Sequence, residues 1–192
     1  MAATVIRFDD AKNPPRTVFV DSSFIRALIQ WSSDPGVASA AAAHGFYDRA
    51  KRANARLWTT PFTAEEILWA YVRRALQDTC RTYGIVSIGD LKRERRGDYA
   101  RTIESCRPEI LKMITALNRL KISFEFPGDQ AAVRGTWGQM VWRAASQILD
   151  RFPIETADAF HIACATVGGT DHIASLDSDF REVDGLTIYC YM

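Results

Sequence analysis

Five short apolar runs set the terms for what this chain can fold into. They are Thr17–Val20 (TVFV), Arg56–Thr60 (RLWTT), Ile122–Phe126 (ISFEF), Ile173–Leu176 (IASL) and Leu186–Cys190 (LTIYC). They are rich in β-branched and aromatic residues, which fit a pleated surface. Several are continuously apolar, as strands covered on both faces tend to be. Helical patterns separate most of them. Residues 22–31 put Ile25, Leu28 and Ile29 on one face, and 38–54 is Ala-rich with a charged end. Further patterns cover 62–77, 99–120, 134–150 and 156–167, the last preceded by Pro153 and closed by Gly168-Gly169. Strands alternating with helices imply βαβ units and an α/β fold with a mostly parallel sheet of about five strands. Residues from about 79 to 121 hold no clear strand and read as a helical insertion. Pro14-Pro15 sets off an N-terminal arm, residues 1–16, from a single domain over 17–192.

The chain has 192 residues, 47% hydrophobic and 24% charged, enough for one core of useful size. A net charge of +1 argues against a protein that coats nucleic acid by overall basicity, but leaves room for a local patch. Cys80, Cys106, Cys164 and Cys190 form no CxxC pair, so a zinc ribbon has no support, and scattered single thiols suit a reducing compartment. The opening MAATVIRFDD carries charges where a signal peptide needs an apolar stretch. No run approaches the about 18 apolar residues of a membrane span. The expectation is a cytoplasmic chain with no membrane partner.

In a parallel sheet, ligands bind beyond the carboxyl ends of the strands. Asp21 directly follows TVFV, and Asp177 directly follows IASL. Glu65 and Glu66 lie just past RLWTT, and Asp158 lies in the first turn of the helix that starts at Thr156. Each has an ordinary explanation, as a turn residue, a helix cap or a favourable charge at a helix N-terminus. The set is harder to dismiss. Two like charges about 4 Å apart at an effective dielectric near 20 repel by roughly 4 kcal/mol. Either such carboxyls share protons, or a cation sits among them. An oxygen-only donor set suits Mg²⁺ or Mn²⁺ rather than zinc.

Read in order, VFVDSSFI, TAEEIL, TADAFHIACA, ASLDSDF and GLTIY resemble the PIN-domain family of metal-dependent ribonucleases, in particular the VapC-type toxins of toxin–antitoxin pairs. The resemblance runs from about Thr17 to Tyr189 and is weak from about Gln77 to Gln147. It implies a three-layer α/β/α fold and an acidic quartet of Asp21, Glu66, Asp158 and Asp177 that binds Mg²⁺ or Mn²⁺. Glu66 is preferred over Glu65 because the family's Thr-x-x-Glu spacing runs from Thr63. Ser175 takes the family's hydroxyl position, Ser22 is a supporting residue, and Asp179 is a candidate outer ligand. The implied activity is hydrolysis of RNA phosphodiester bonds by an attacking water, leaving a 5′-phosphate and a 3′-hydroxyl. Implied partners are RNA, a cognate antitoxin and a second copy of the chain.

Other residues carry weaker signals. His161 follows Asp158 by three residues on the same helical side, and is read first as a buried, hydrogen-bonded helix residue. Lys92, Arg93, Arg95 and Arg96, with Arg73 and Arg74, form the most cationic region. They read as phosphate contacts or, nearly as well, as a solvated face, because Glu94 and Asp98 interrupt the run. Two other functions compete with a nuclease. One is a PIN-fold module that binds RNA or antitoxin without cutting. The other is a phosphatase built on the Asp177/Asp179 pair, disfavoured because that chemistry wants the pair at the first strand.

Overall fold

Four of the five short apolar runs become buried strands because they are covered from both sides, whereas the fifth gives only the two-residue, partly exposed edge strand Ser123–Phe124. In Thr17–Val20 (β2), Val18, Phe19 and Val20 are all fully buried. Their side chains alternate between two cores. Phe19 meets Trp58 edge-on at 5.1 Å, in a cluster that includes Ile162, Ile173 and Ile188. On the other face, Phe8, Phe24 and Phe46 pack against one another, and Phe46 meets Tyr189 at 5.0 Å.

The computed structural model describes residues 3–126 and 136–191. It contains a single all-parallel sheet of Thr4–Arg7 (β1), β2, Arg56–Thr59 (β3), Ser123–Phe124 (β4), His172–Ala174 (β5) and Thr187–Cys190 (β6), in the order β1-β6-β5-β2-β3-β4. Helices Ser22–Ser33 (α1) and Ala38–Arg52 (α2) cover one face. Helices Trp137–Arg151 (α6) and Thr156–Val167 (α7) cover the other, giving three layers. In α7, Ala159, Ala163 and Ala165 are fully buried, so small side chains set how closely this helix approaches its neighbours.

Two expectations change. Among the described residues the sheet has six strands, because Thr4–Arg7, read as part of the N-terminal arm, pairs along β6 from Thr4↔Thr187 to Arg7↔Cys190. Its strand signal, TVIR, is short and half-exposed, which suits an edge. Arg49 secures the residues after this strand by donating to the carbonyls of Phe8 and Ala11. The helical segment is also longer than the proposed insertion. The chain divides into one compact unit of residues 1–63 and 121–192, and a second of Ala64–Leu120.

The second unit contains most of Pro61–Tyr83 (α3), with Ile88–Glu94 (α4) and Arg96–Arg119 (α5). Its small core is Val72, Leu76, Cys80, Leu91 and Cys106. The sequence pattern did not separate out α4. Ser87 starts it as a cap, accepting from the Asp90 amide at 3.1 Å. Residues 134 and 135, expected at the start of α6, lie outside the described residues. Among the described residues, no helix is long and apolar enough to cross a membrane.

Candidate active site

The carboxyl ends of β2 and β5 meet where the chain's path through the sheet reverses. After β2 the strands progress to one side through β3 and β4; β5 then returns to β2's other side and leads to β6. Oppositely directed crossovers leave a crevice at that point. Val20 pairs with Ala174, so the next residues, Asp21 and Ser175, emerge together.

Asp21 is 3% exposed and caps α1, accepting from the Phe24 amide at 2.8 Å. Ser175 Oγ donates to its Oδ2 at 2.6 Å, and Ser23 Oγ lies 2.9 Å from both carboxylate oxygens. A hydroxyl has one proton to give. With both serine protons directed at Asp21, their lone pairs receive backbone amides. Leu176 N–H donates to Ser23 at 2.7 Å, and Asp177 N–H to Ser175 at 2.8 Å. Two serines thus join the start of α1 to the loop after β5. Burial pushes the Asp21 carboxyl above its ordinary value, opposed by the hydrogen bonds from Ser175, Phe24 and Ser23 and by the charge of His161.

Asp177 is half-buried, and its Oδ1 accepts from the Asp179 amide at 3.0 Å. This is the local turn chemistry expected of aspartate. The Asp179 side chain is exposed. Asp158, in the first turn of α7, is pushed up to about 7, first by burial and then by the charges of Asp177, Asp21 and Glu155, with His161 opposing. Asp158 therefore feels the charges of two aspartates from separate segments, Asp177 and Asp21. Among the described residues, no three His, Cys, Asp or Glu side chains draw close enough together to enclose an ion.

His161 is buried, 5.9 Å from the Phe19 ring, and its charge favours the ionised forms of both Asp21 and Asp158. Its burial was expected from the sequence, but its reach to two carboxylates was not. Ser23 was the residue missed. Ser22, named from the motif, is buried in the same turn, whereas the neighbouring Ser23 carries the hydroxyl that meets Asp21. Its signal was there: a serine two residues after a capping aspartate lies in the same first helical turn. At the end of β3, Thr59, Thr60 and Thr63 are buried, and Thr59 Oγ1 donates to Thr63 at 2.7 Å.

Glu66 and its neighbour Glu65 are exposed on α3 and belong to the second unit. That unit also holds the cationic residues, and several are paired locally. Arg93 reaches Asp90 at 2.5 Å and Glu94 at 3.1 Å, while Arg95 and Arg101 converge on Asp98 at 2.7 and 2.5 Å. Lys92 lies over the Tyr99 ring at 5.8 Å. Arg73, Arg74 and Arg96 are exposed.

A family model described as the PIN domain matches residues 137–186. The C-terminal part of this chain matches the PIN-domain family. The PIN match takes in Asp158, Ser175 and Asp177, and the all-parallel three-layer architecture is consistent with it. Asp21 lies outside the matched segment, and the pairing of β2 with β5 brings it there. Comparison with curated proteins and with solved structures found no match. PIN domains are generally metal-dependent nucleases.

Proposed function

We propose that this chain is an endoribonuclease that hydrolyses RNA phosphodiester bonds with Mg²⁺ or Mn²⁺, and that it acts in the cytoplasm as the toxin of a toxin–antitoxin pair. The observation that carries the nuclease reading is that Asp158, pushed to about 7 by burial and by the charges of Asp177 and Asp21, faces the carboxylates of the β2/β5 crevice. A carboxyl held that high by burial and by like charges fits a site made for a cation, and the donors are all oxygens, as a hard cation prefers. Asp21, Asp158 and Asp177 would hold the ion. Glu66 is proposed as a further ligand because Thr63-x-x-Glu66 resembles the PIN family's motif, and Asp179 would be an outer ligand. A bound cation of this kind makes water more acidic and offsets charge that builds on a phosphate.

The chain's own residues supply the rest. Ser23 and Ser175 fix the Asp21 carboxylate in one orientation. One carboxylate of the site would accept the proton of the attacking water. Arg73, Arg74, Lys92, Arg93, Arg95 and Arg96 are proposed phosphate contacts; the exposed pairs among them are cheap to break, so paired guanidiniums stay available. The antitoxin, a homodimer and the toxin role rest on the motif resemblance.

The test is incubation of the purified protein with total RNA and Mn²⁺, beside its Asp21→Asn variant, followed by mapping of the cut ends. Cleavage lost in the variant and in EDTA supports the reading. Activity undiminished by EDTA sinks the metal role. Binding without cutting, across several metals and RNAs, would leave a PIN-fold binding module.

A further inference from the structure

Three aromatic side chains make a row at the carboxyl edge of the sheet. Phe62 follows β3 by three residues and is 53% exposed, although Thr60 and Thr63 beside it are buried. Phe126 follows β4 by two residues and is 36% exposed. Their ring centroids are 5.9 Å apart, and the Phe126 ring lies 5.3 Å from Trp137, the first residue of α6. Trp137 in turn packs against the main core. A single exposed phenylalanine needs no explanation. A row of rings held to one another, anchored at one end and open at the other, is a different object.

Its place in the sheet gives it meaning. β3 is the immediate neighbour of β2, and β4 is the next strand out. All are parallel, so Phe62 and Phe126 emerge on the same edge as Asp21. Neighbouring strands are about 4.8 Å apart. The chain thus leaves β3 beside the place where it leaves β2 at Asp21, and the row begins at Phe62, two residues after Thr60. Base–aromatic stacking needs an accessible ring face near a backbone path, and it works with any base because every base has a π-face.

We propose that Phe62 and Phe126 form a base-stacking subsite that positions a nucleotide flanking the scissile phosphate. This rests on the ribonuclease reading above and deepens it, by naming residues that would set how an RNA strand lies across the site. Trp137 supports the row from beneath and is a positioning residue.

The experiment uses the full chain carrying Asp21→Asn, so that RNA is bound and not cut. A short labelled single-stranded oligoribonucleotide is titrated against this protein and against versions that also carry Phe62→Ala, Phe62→Trp or Phe126→Ala. The titrations are repeated with oligonucleotides carrying one abasic position at each site in turn. Phe62→Ala should weaken binding about tenfold, Phe62→Trp should restore it, and one abasic position should cost the parent affinity but not Phe62→Ala. In the cleaving background, Phe62→Ala should raise KM with kcat little changed. Unchanged binding by Phe62→Ala, where the parent chain still cuts RNA, overturns the subsite and leaves the nuclease reading standing. Equal losses on intact and abasic RNA also overturn it. A parent that neither binds nor cuts RNA overturns both.

Discussion

Asp21 in the first unit and Asp98 in the second are the same residue in opposite circumstances. Asp21 accepts from Ser23, Ser175 and the Phe24 amide, all neutral donors, and its carboxyl is pushed up. Asp98 accepts from Arg95, Arg101 and Tyr83, and its carboxyl is held below the usual range, chiefly by Arg95 and then Arg101. The number of hydrogen bonds does not distinguish them. Burial and the charge of the donors do. One region strains its carboxylates, and the other satisfies them locally along a helix surface. Carboxylates kept under strain are the ones with free energy to gain from a cation, so perturbed groups of this kind mark candidate sites.

The hardest blow to this contrast is Asp21→Asn. It should lower RNA cleavage by roughly three orders of magnitude or more while circular dichroism stays native, since the charge and its preorganised setting go together. A variant that still cuts at the parent rate would remove the site from the β2/β5 crevice.

Gly168→Ala tests the packing beneath the same unit. A Cβ at Gly168 would lie 2.2 Å from Cη2 of the buried Trp58 ring, which cannot yield without disturbing the core. We expect a loss of about 2–3 kcal/mol in denaturant unfolding. Retained stability would mean that this core is looser than its burial indicates.

Ser175→Ala removes a donor from Asp21 and an acceptor from the Asp177 amide in one change. It should cost about 1–3 kcal/mol and raise the Asp21 carboxyl further. Ser22→Ala, one residue from the hydrogen-bonding Ser23, is the control. If both variants melt alike, the serine clamp is of no consequence.

Asp158→Asn sharpens the comparison through pH. The folded carboxyl sits at about 7, against 3.8 for the free group. Between those values the folded chain keeps a proton that the unfolded chain gives up. Stability from this group therefore falls as pH rises through that window and stays flat above it. Without divalent ions, the variant should be more stable than the parent above pH 7 by on the order of 1–2 kcal/mol, allowing for solvent screening. The gain should vanish near pH 4. A gain that is the same at both pH values would mean that the charge is not its cause.

The smallest effect belongs to the second unit. Asp98→Asn should leave the melting temperature at neutral pH nearly unchanged, because its partners are long, solvated side chains. A large drop there would show that both regions depend equally on their carboxylates.

Much of this was legible in the chain. Four of the five apolar runs announced buried parallel strands, the third giving only a short exposed edge, and their order placed aspartates after the first and fourth of them. The edge strand Thr4–Arg7 was not legible, because four residues with half-exposed sides have no periodicity to read until β6 lies alongside. α4 was hidden among charges, with Leu91 its only buried residue. The division at Ala64 was hidden too, since it falls inside the unbroken helix α3.

The order of residues was enough to say which side chains could serve as acids, and that Asp21 and Asp177 would each leave a strand at its carboxyl end. Hydrophobic periodicity and turn chemistry are local, and they need no partner to be read. It took the folded chain to make β2 and β5 neighbours, to turn Ser23 rather than Ser22 toward Asp21, and to raise Asp158 by burial and by the charges of Asp177 and Asp21. Those facts depend on burial and on the meeting of segments far apart in the chain, and no local pattern encodes them.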